Sequence, residues 1–228
     1  MVEISTPLLL SLKVAGWATA LSAVLGIAVA YGLSRWQSSW SDVLDAVLTL
    51  PMVLPPTVIG YYLLVLLGRR GWLGSWLADM GIVLVFTWQG AVIAATVVAF
   101  PMVLKAARAA FEDVDHALEH AAQVLGVSPV GVFFRVSLPL AMRGILAGVL
   151  LAFARALGEF GATLMIAGSI PGKTQTLSIA IYEAVQAGND SLANVLVLAT
   201  SLTCVTVLLI AGRLSPGRSR MAAARGQA

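Results

Sequence analysis

The sequence predicts an all-α fold, that of a polytopic membrane protein with about five transmembrane helices. Two observations lead to this prediction. Of the 228 residues, 59% are hydrophobic and only 11% are charged, whereas soluble domains carry about 25% charged residues. Apolar runs of about 20 residues also recur along the chain, which is the length that a helix needs to cross a bilayer. We expect one domain, with its core over residues 8–212 and a basic cytoplasmic tail over residues 213–228.

The first two predicted spans cover residues 8–33 and 43–68, and the second is interrupted by the run TLPMVLPPTVIGYY. Proline in a helix interior removes a backbone donor, so the second span cannot be one straight helix. Broken backbone at membrane depth occurs where protein or a water-filled cavity covers it. The residues that could line such a cavity are Pro55, Pro56, Thr57 and Tyr61. An equally favoured alternative is a packing kink whose hydroxyl groups bond to nearby carbonyls.

The third predicted span covers residues 80–104, after a short connection over residues 68–79. Gln89 lies inside this span. A lone intramembrane Gln more often forms a hydrogen bond between helices than a contact to a ligand. Both interpretations of Gln89 remain open at this point.

A polar segment, residues 119–139, separates the third span from the fourth. We predict a short helix over residues 114–125 that stops at Gly126, because Gly is the usual residue where a helix ends in a left-handed turn. Ser128 and Pro129 then suit the cap and first position of a second helix. Small side chains at Ala121 and Ala122 would let a partner protein approach closely, and the alternative is an amphipathic linker on the membrane surface.

Metal binding is not predicted in this segment. His116 and His120 are four residues apart, but no third ligand stands at metal-site spacing.

The fourth predicted span, residues 143–167, carries two strips with a spacing of four residues. The first consists of the small residues Gly144, Gly148, Ala152 and Ala156. Small side chains allow another helix to approach closely. The second strip consists of Arg155, Glu159 and Thr163. Opposite charges one turn apart inside a span must face protein or water, so this strip predicts a pathway wall or gate, or alternatively an ion pair that keeps helices in register.

The orientation follows from the basic residues that flank the five spans, of which the last covers residues 191–212. One side holds Arg35, Lys105, Arg108, Arg135, Arg143 and four tail arginines, and the other holds Lys13, Arg69, Arg70 and Lys173. The side richer in Lys and Arg is normally cytoplasmic. We therefore expect the N-terminus outside and the C-terminus in the cytoplasm, which also places residues 119–139 in the cytoplasm.

Residues 119–139 resemble the signature of ABC-importer permeases, which is Glu-Ala-Ala, three residues, Gly, nine residues and Ile-x-Leu-Pro. The residues in register are Ala121, Ala122, Gly126, Leu138 and Pro139. His120 occupies the Glu position, with Glu119 one place earlier, and Val136 replaces Ile. The resemblance implies a type I ABC importer permease fold, in which residues 119–139 belong to a cytoplasmic coupling segment whose helix docks on an ATP-binding subunit.

Over nearly its whole length the chain also resembles molybdate-type ABC permeases. The most discriminating stretches are LPMVLPPTVIGYYLLVLLGRRGWLG at residues 50–74 and LAFARALGEFGAT at residues 151–163. The resemblance implies a homodimer in the bacterial inner membrane, surrounded by lipid and coupled to two ATP-binding subunits. A periplasmic binding protein would deliver molybdate or tungstate. The chain itself would carry no enzymatic activity, no cofactor and no nucleic-acid site.

Three alternatives remain open. Sulfate permeases share part of the pattern, so sulfate or thiosulfate is an alternative substrate. A stand-alone secondary transporter would need an inverted repeat and carboxylate ion sites within its spans, and the sequence offers one deep carboxylate, Glu159, and no clear repeat. A membrane enzyme would need a constellation of nucleophile, base or metal ligands, and none is visible.

Overall fold

The computed structural model describes residues 5–36 and 38–214, which contain helices and no β-strand. In chain order the helices are α1 (Ser5–Arg35), α2 (Ser39–Thr49), α3 (Pro56–Leu67), α4 (Trp72–Asp79), α5 (Trp88–Glu112), α6 (His116–Val124), α7 (Pro129–Val132), α8 (Leu138–Leu157), α9 (Gly161–Ala167), α10 (Leu177–Gln186) and α11 (Asp190–Leu214). A π-helical segment, Phe133–Ser137, joins α7 to α8. Most of the predicted basic tail, from residue 215 onward, lies outside the described residues.

Within the part of the chain that the structure describes, four helical stretches are long and apolar enough to cross a membrane. They are α1, α5, α11 and the continuous stretch Pro129–Leu157. The pair α2 and α3 forms a fifth span if it is counted as one, although its two helices meet at 104°. The prediction of about five spans, with the second one broken, is therefore confirmed.

Two parallel helices, α1 and α5, form the centre of the fold. Near their N-terminal ends the ammonium of Lys13 lies 3.6 Å from the centre of the Trp88 ring. Near their C-terminal ends the rings of Tyr31 and Phe111 meet edge to face with centroids 5.3 Å apart. The two contacts fix the same direction for both helices.

The third helix of the centre, α8, runs antiparallel to α5 and packs against it through glycines. A methyl group at Gly144 would lie 2.6 Å from Ala110 Cβ, and a methyl group at Gly148 would overlap the side chain of Ala106. Real Cβ atoms do not approach so closely, so the backbones touch here because Gly has no side chain. The predicted strip of small residues is confirmed as a helix contact, with α5 as its partner.

The predicted bounds of the third and fourth spans were wrong. α5 starts at Trp88 rather than at residue 80, because the chain turns at Phe86, with a φ of 61°, and Thr87 Oγ1 then caps the helix by accepting from Gly90 N at 3.2 Å. The fourth span starts at Pro129 and ends at Leu157. The region up to residue 167 forms a separate short helix, α9. The connection predicted over residues 68–79 contains α4.

Candidate functional site

The segment that links α5 to α8 folds locally as the sequence predicts. α6 begins after Asp115, whose Oδ1 accepts a hydrogen bond from Ala117 N at 2.8 Å. Its last turn is followed by Gly126, whose φ of 83° suits Gly better than residues with a side chain. Ser128 Oγ then caps α7 by accepting from a backbone N–H at 3.2 Å. The predicted helix, its glycine end and its restart at Ser128 are confirmed, with the helix starting at His116 rather than at residue 114.

Glu119 is the buried residue of α6, with 5% of its surface exposed. Arg35, the last residue of α1, donates to Glu119 Oε1, and the Ser137 hydroxyl of the π-helical segment donates to the same oxygen. His116 Nδ1 lies 3.4 Å from Glu119 Oε2. The sequence grouped Glu119 with residues that contact a partner. In the structure its carboxylate faces the interior and connects α6 to α1 and to the start of α8.

The surroundings of Glu119 keep its carboxyl group ionised. Burial by itself raises the pKa, because a carboxylate loses hydration in the interior. The hydrogen bond from Ser137, the positive charge of Arg35 and the contact with His116 act in the opposite direction and outweigh burial. Together they lower the pKa of Glu119 below its ordinary value of 4.5.

The other predicted coupling residues lie at or near the surface. His120, Ala121, Gly126 and Pro139 are exposed, and Ala122 and Leu138 are half-buried. All of them are therefore at least partly accessible within this single chain.

Sequence analysis missed a set of large apolar side chains that the same segment leaves exposed. This exposed apolar set consists of Leu118, Val124, Leu125, Val130 and Phe134, which are 50–87% exposed. Large exposed apolar groups on a polar segment are typical of a protein interaction site. The local pattern that could have indicated the set is the pair Val124-Leu125 directly before Gly126.

A second candidate region lies where α8 ends and α9 begins. Arg155 Nη1 lies 2.7 Å from Glu159 Oε2, and Glu159 Oε1 accepts from Ala162 N at 2.8 Å. Glu159 is buried, whereas 30% of the Arg155 side chain is exposed. The ion pair that the sequence offered as an alternative is present. However, the prediction of one continuous helical strip was wrong: the chain leaves the helix at Gly158, and Thr163 is buried within α9.

Two of the predicted pathway residues from the broken second span lie against this region. A methyl group at Gly161 would lie 3.2 Å from Pro56 Cβ and 3.3 Å from Thr57 Cγ2, so the N-terminal end of α3 packs on the start of α9. Thr57, Tyr61 and Pro55 are exposed. The structure therefore places the end of the proline run beside Gly161, two residues after Glu159.

Gln89 is the second residue of α5 and so lies at the N-terminal end of the span Trp88–Glu112. Its side chain is exposed in the first turn of α5. This turn faces the opposite end of α9 from Glu159, since Phe86 N donates to Ile166 O at 3.0 Å and Gly90 contacts Ile166. Gln89 therefore lies at the end of its span rather than in the interior, and its role in the pathway stays a prediction.

Residues 5–36 and 38–214 contain no group of three or more His, Cys, Asp and Glu side chains that could hold a metal ion. The pair His116 and Glu119 is held by Arg35 instead.

Residues 22–220 match the family described as binding-protein-dependent transport system inner membrane component. The chain is 46% identical over 204 residues to the molybdenum transport system permease protein ModB of Escherichia coli K12, with 88% of this chain and 89% of that protein covered. It is 44% identical over 203 residues to ModB of Haemophilus influenzae, with the same coverage.

The fold is also found among solved structures. A chain of the MetNI methionine ABC transporter in an inward-facing conformation superimposes with a TM-score of 0.72 at 16% identity, covering 94% of this chain and 98% of that chain. The fold is therefore that of an ABC transporter chain. This agrees with the importer permease fold that the sequence predicts.

Proposed function

Because the chain belongs to the family of binding-protein-dependent transport system inner membrane components, we propose that it is the permease subunit of an ATP-driven importer of molybdate or tungstate. The observation that carries the substrate class is the likeness to molybdenum transport permeases over nearly the whole length of both chains. The chain is a multi-pass membrane protein, and ATP hydrolysis belongs to a separate subunit.

The coupling segment over residues 119–139, together with the preceding residues of α6, is the docking site for the ATP-binding subunit. Its exposed apolar set, with the small residue Ala121 beside it, provides accessible surface of the kind that a protein partner buries. The inward-facing carboxylate of Glu119 holds α6 to the membrane helices. A movement of the docked ATP-binding subunit therefore displaces α6 together with the helices that cross the membrane.

In the working transporter two copies of this chain share one pathway and bind two ATP-binding subunits, and a periplasmic binding protein delivers the anion. The orientation that fits this arrangement has the N-terminus outside and the C-terminus in the cytoplasm. The distribution of Lys and Arg supports it, and so does the position of the coupling segment, which lies at the end of the molecule where α1 and α5 stop.

The pathway passes the junction of α8 and α9. The junction combines an interrupted helix with the proline run of α3, and irregular backbone in a span is tolerated where it lines a cavity. Residues assigned to it are Pro55, Pro56, Thr57, Tyr61, Arg155, Glu159 and Thr163. Because Glu159 already neutralises Arg155, this cation does not offer an unpaired charge to a dianion. Selectivity then resides mainly in the binding protein.

The proposal is tested by measuring molybdate uptake in cells with and without this gene, with excess sulfate as a competitor. Uptake that disappears with the gene and resists sulfate supports a molybdate permease. Uptake that excess sulfate abolishes moves the substrate to sulfate or thiosulfate within the same superfamily. Uptake that is unchanged without the gene overturns the substrate assignment.

A further inference from the structure

We propose that Arg35 is a positioning residue for the coupling helix α6, acting through its ion pair with Glu119. The pair fixes the orientation of α6 relative to α1, so that movement of the docked ATP-binding subunit is passed to α1 as well as to α8. The role of Arg35 in transport rests on the proposed function, whereas the role of Arg35 in holding α6 does not.

α6 buries a charged residue and exposes apolar ones. Of its nine residues, Glu119 is the buried one, whereas Leu118 and Val124 are 50% and 87% exposed. A surface helix normally does the reverse and buries its apolar face. The attachment of α6 to the membrane helices therefore depends on a carboxylate and on the groups that neutralise it.

One oxygen atom joins three parts of the chain. Glu119 Oε1 accepts hydrogen bonds from Arg35 at the end of α1 and from Ser137 at the end of the π-helical segment. Ser137 is completely buried. π-Helical turns are rare and are often found at functional sites, and this one ends where α8 begins.

Arg35 is itself held in place by neighbouring groups. It is the last residue of α1, where a positive charge is favoured by the helix dipole. Its guanidinium lies 5.3 Å from the centre of the Tyr31 ring, and that ring packs edge to face on Phe111 and Phe133 with centroids 5.3 and 4.7 Å away. The aromatic contacts join α1, α5 and the π-helical segment directly beside the ion pair.

A buried ion pair is often no more stabilising than apolar residues of the same volume, and its best-attested use is to fix one arrangement among several. That reasoning assigns this pair to the orientation of α6 rather than to the overall stability of the fold. Arg35 donates to the buried carboxylate of Glu119, so its effect on transport passes through Glu119.

The test combines hydrogen exchange with a coupling assay on the full-length chain in lipid nanodiscs. The variants are Arg35→Ala, the milder isostere Glu119→Gln, and the double variant. The control is Arg143→Ala, which removes an exposed arginine from the same end of the molecule. Exchange is measured for the amides of α6 and, as an internal reference, for those of α5. The same variants, assembled with the ATP-binding subunit, are assayed for molybdate taken up per ATP hydrolysed.

We expect the α6 amides of Arg35→Ala to exchange at least about tenfold faster than those of the unmodified chain, with α5 unchanged, because local opening governs exchange. The double variant should exchange no faster than the faster single variant, since both substitutions remove one pair. Uptake per ATP should fall in Arg35→Ala while ATP hydrolysis continues, whereas a purely structural defect would lower both together.

The proposal would be overturned if the α6 amides of both Arg35→Ala and Glu119→Gln exchanged at the same rate as those of Arg143→Ala. The proposal would also be overturned if the increases in the α6 exchange rate of the two single variants added up in the double variant. If the unmodified complex takes up no molybdate although α6 exchange responds as expected, the proposed function fails and the positioning role of Arg35 stands.

Discussion

The carboxylate of Glu159 and the backbone N–H of Ala162 are joined by a hydrogen bond of 2.8 Å, so the side chain that pairs with Arg155 also caps the start of α9. One buried residue thus serves two functions at the interruption of the fourth span. Its charge neutralises Arg155, and its oxygen satisfies an N–H that the first turn of a helix leaves unpaired.

We predict that Glu159→Gln lowers both thermal stability and uptake. The amide oxygen of Gln can still accept from Ala162 N, but Arg155 loses its counter-charge. Removing one partner of a fully buried pair costs about 3–5 kcal/mol, and because 30% of the Arg155 side chain is exposed, the effect should fall below that range. Thermal unfolding of the purified chain and uptake in cells measure the two effects.

The double variant Arg155→Gln with Glu159→Gln is the matched control, because it leaves no unpaired charge. It should recover part of the lost stability. A Glu159→Gln variant that is as stable and as active as the unmodified chain would show that the ion pair has no role.

We predict that Gly126→Val impairs uptake while the chain remains in the membrane. Gly126 has a φ of 83° and nothing lies within 4 Å of the position of a Cβ atom there. The strain is therefore conformational and not steric, and a β-branched residue in this region is a genuine outlier. We expect the end of α6 and the position of the exposed apolar set to change. Uptake and the amount of chain in the membrane fraction measure the outcome.

Gly126→Asn is the control, because Asn enters the left-handed region much more readily than other residues with a side chain. It should retain most of the uptake. Equal loss of uptake in the Asn and Val variants would mean that the backbone conformation at this position is not the reason.

The parts of the fold that depend on local chemistry could be predicted from the sequence. The end of α6 at Gly126 and the restart at Ser128 follow from the conformations that these residues prefer, and the proline run excludes a straight second span. The small-residue strip of α8 could also be predicted, because Gly148 leaves room for a neighbouring backbone whichever helix provides it.

Features set by distant partners could not be predicted. Glu119 is buried because Arg35 meets it from 84 positions earlier in the chain, and no local pattern connects the two. The third span was placed too early because residues 80–86 are as apolar as a helix, although they form turns and irregular chain before Thr87. The strip of Arg155, Glu159 and Thr163 assumed an uninterrupted helix. In the structure α8 ends at Gly158 and α9 begins at Gly161, where the chain packs on the N-terminal end of α3.

We predict that Gly148→Val destabilises the chain or prevents its correct insertion. The new side chain would overlap Ala106 and crowd the backbone of Met102, whose carbonyl oxygen would lie 3.2 Å from a Cβ atom. Overpacking in a close-packed interior costs about 1–3 kcal/mol. Thermal unfolding in detergent measures the loss.

Gly32→Ala is the control, because a Cβ atom at Gly32 meets nothing within 4 Å and Ala favours a helix more than Gly does. This variant should be as stable as the unmodified chain or slightly more so. Equal stability of the Gly148→Val variant would contradict the close contact of α8 with α5.

The last prediction concerns pH and the lowered pKa of Glu119. A carboxyl group whose pKa is lower in the folded chain than in the unfolded chain favours folding at every pH above the unfolded value. This contribution is fully present above 4.5, the ordinary value, and is lost as the pH falls through the lowered value of the folded state. Thermal unfolding of the unmodified chain and of Glu119→Gln from about pH 7 to about pH 3 should show a stability difference that is constant near neutrality and shrinks in acid.

Glu112→Gln is the control, because Glu112 pairs with Arg108 on an exposed surface, where ion pairs contribute about 0–1 kcal/mol. Its stability should differ little from that of the unmodified chain over the same range. A difference for Glu119→Gln that grows as the pH falls below 4.5 would have the wrong sign for a lowered pKa, and it would mean that burial dominates over Arg35 and Ser137 at this carboxylate.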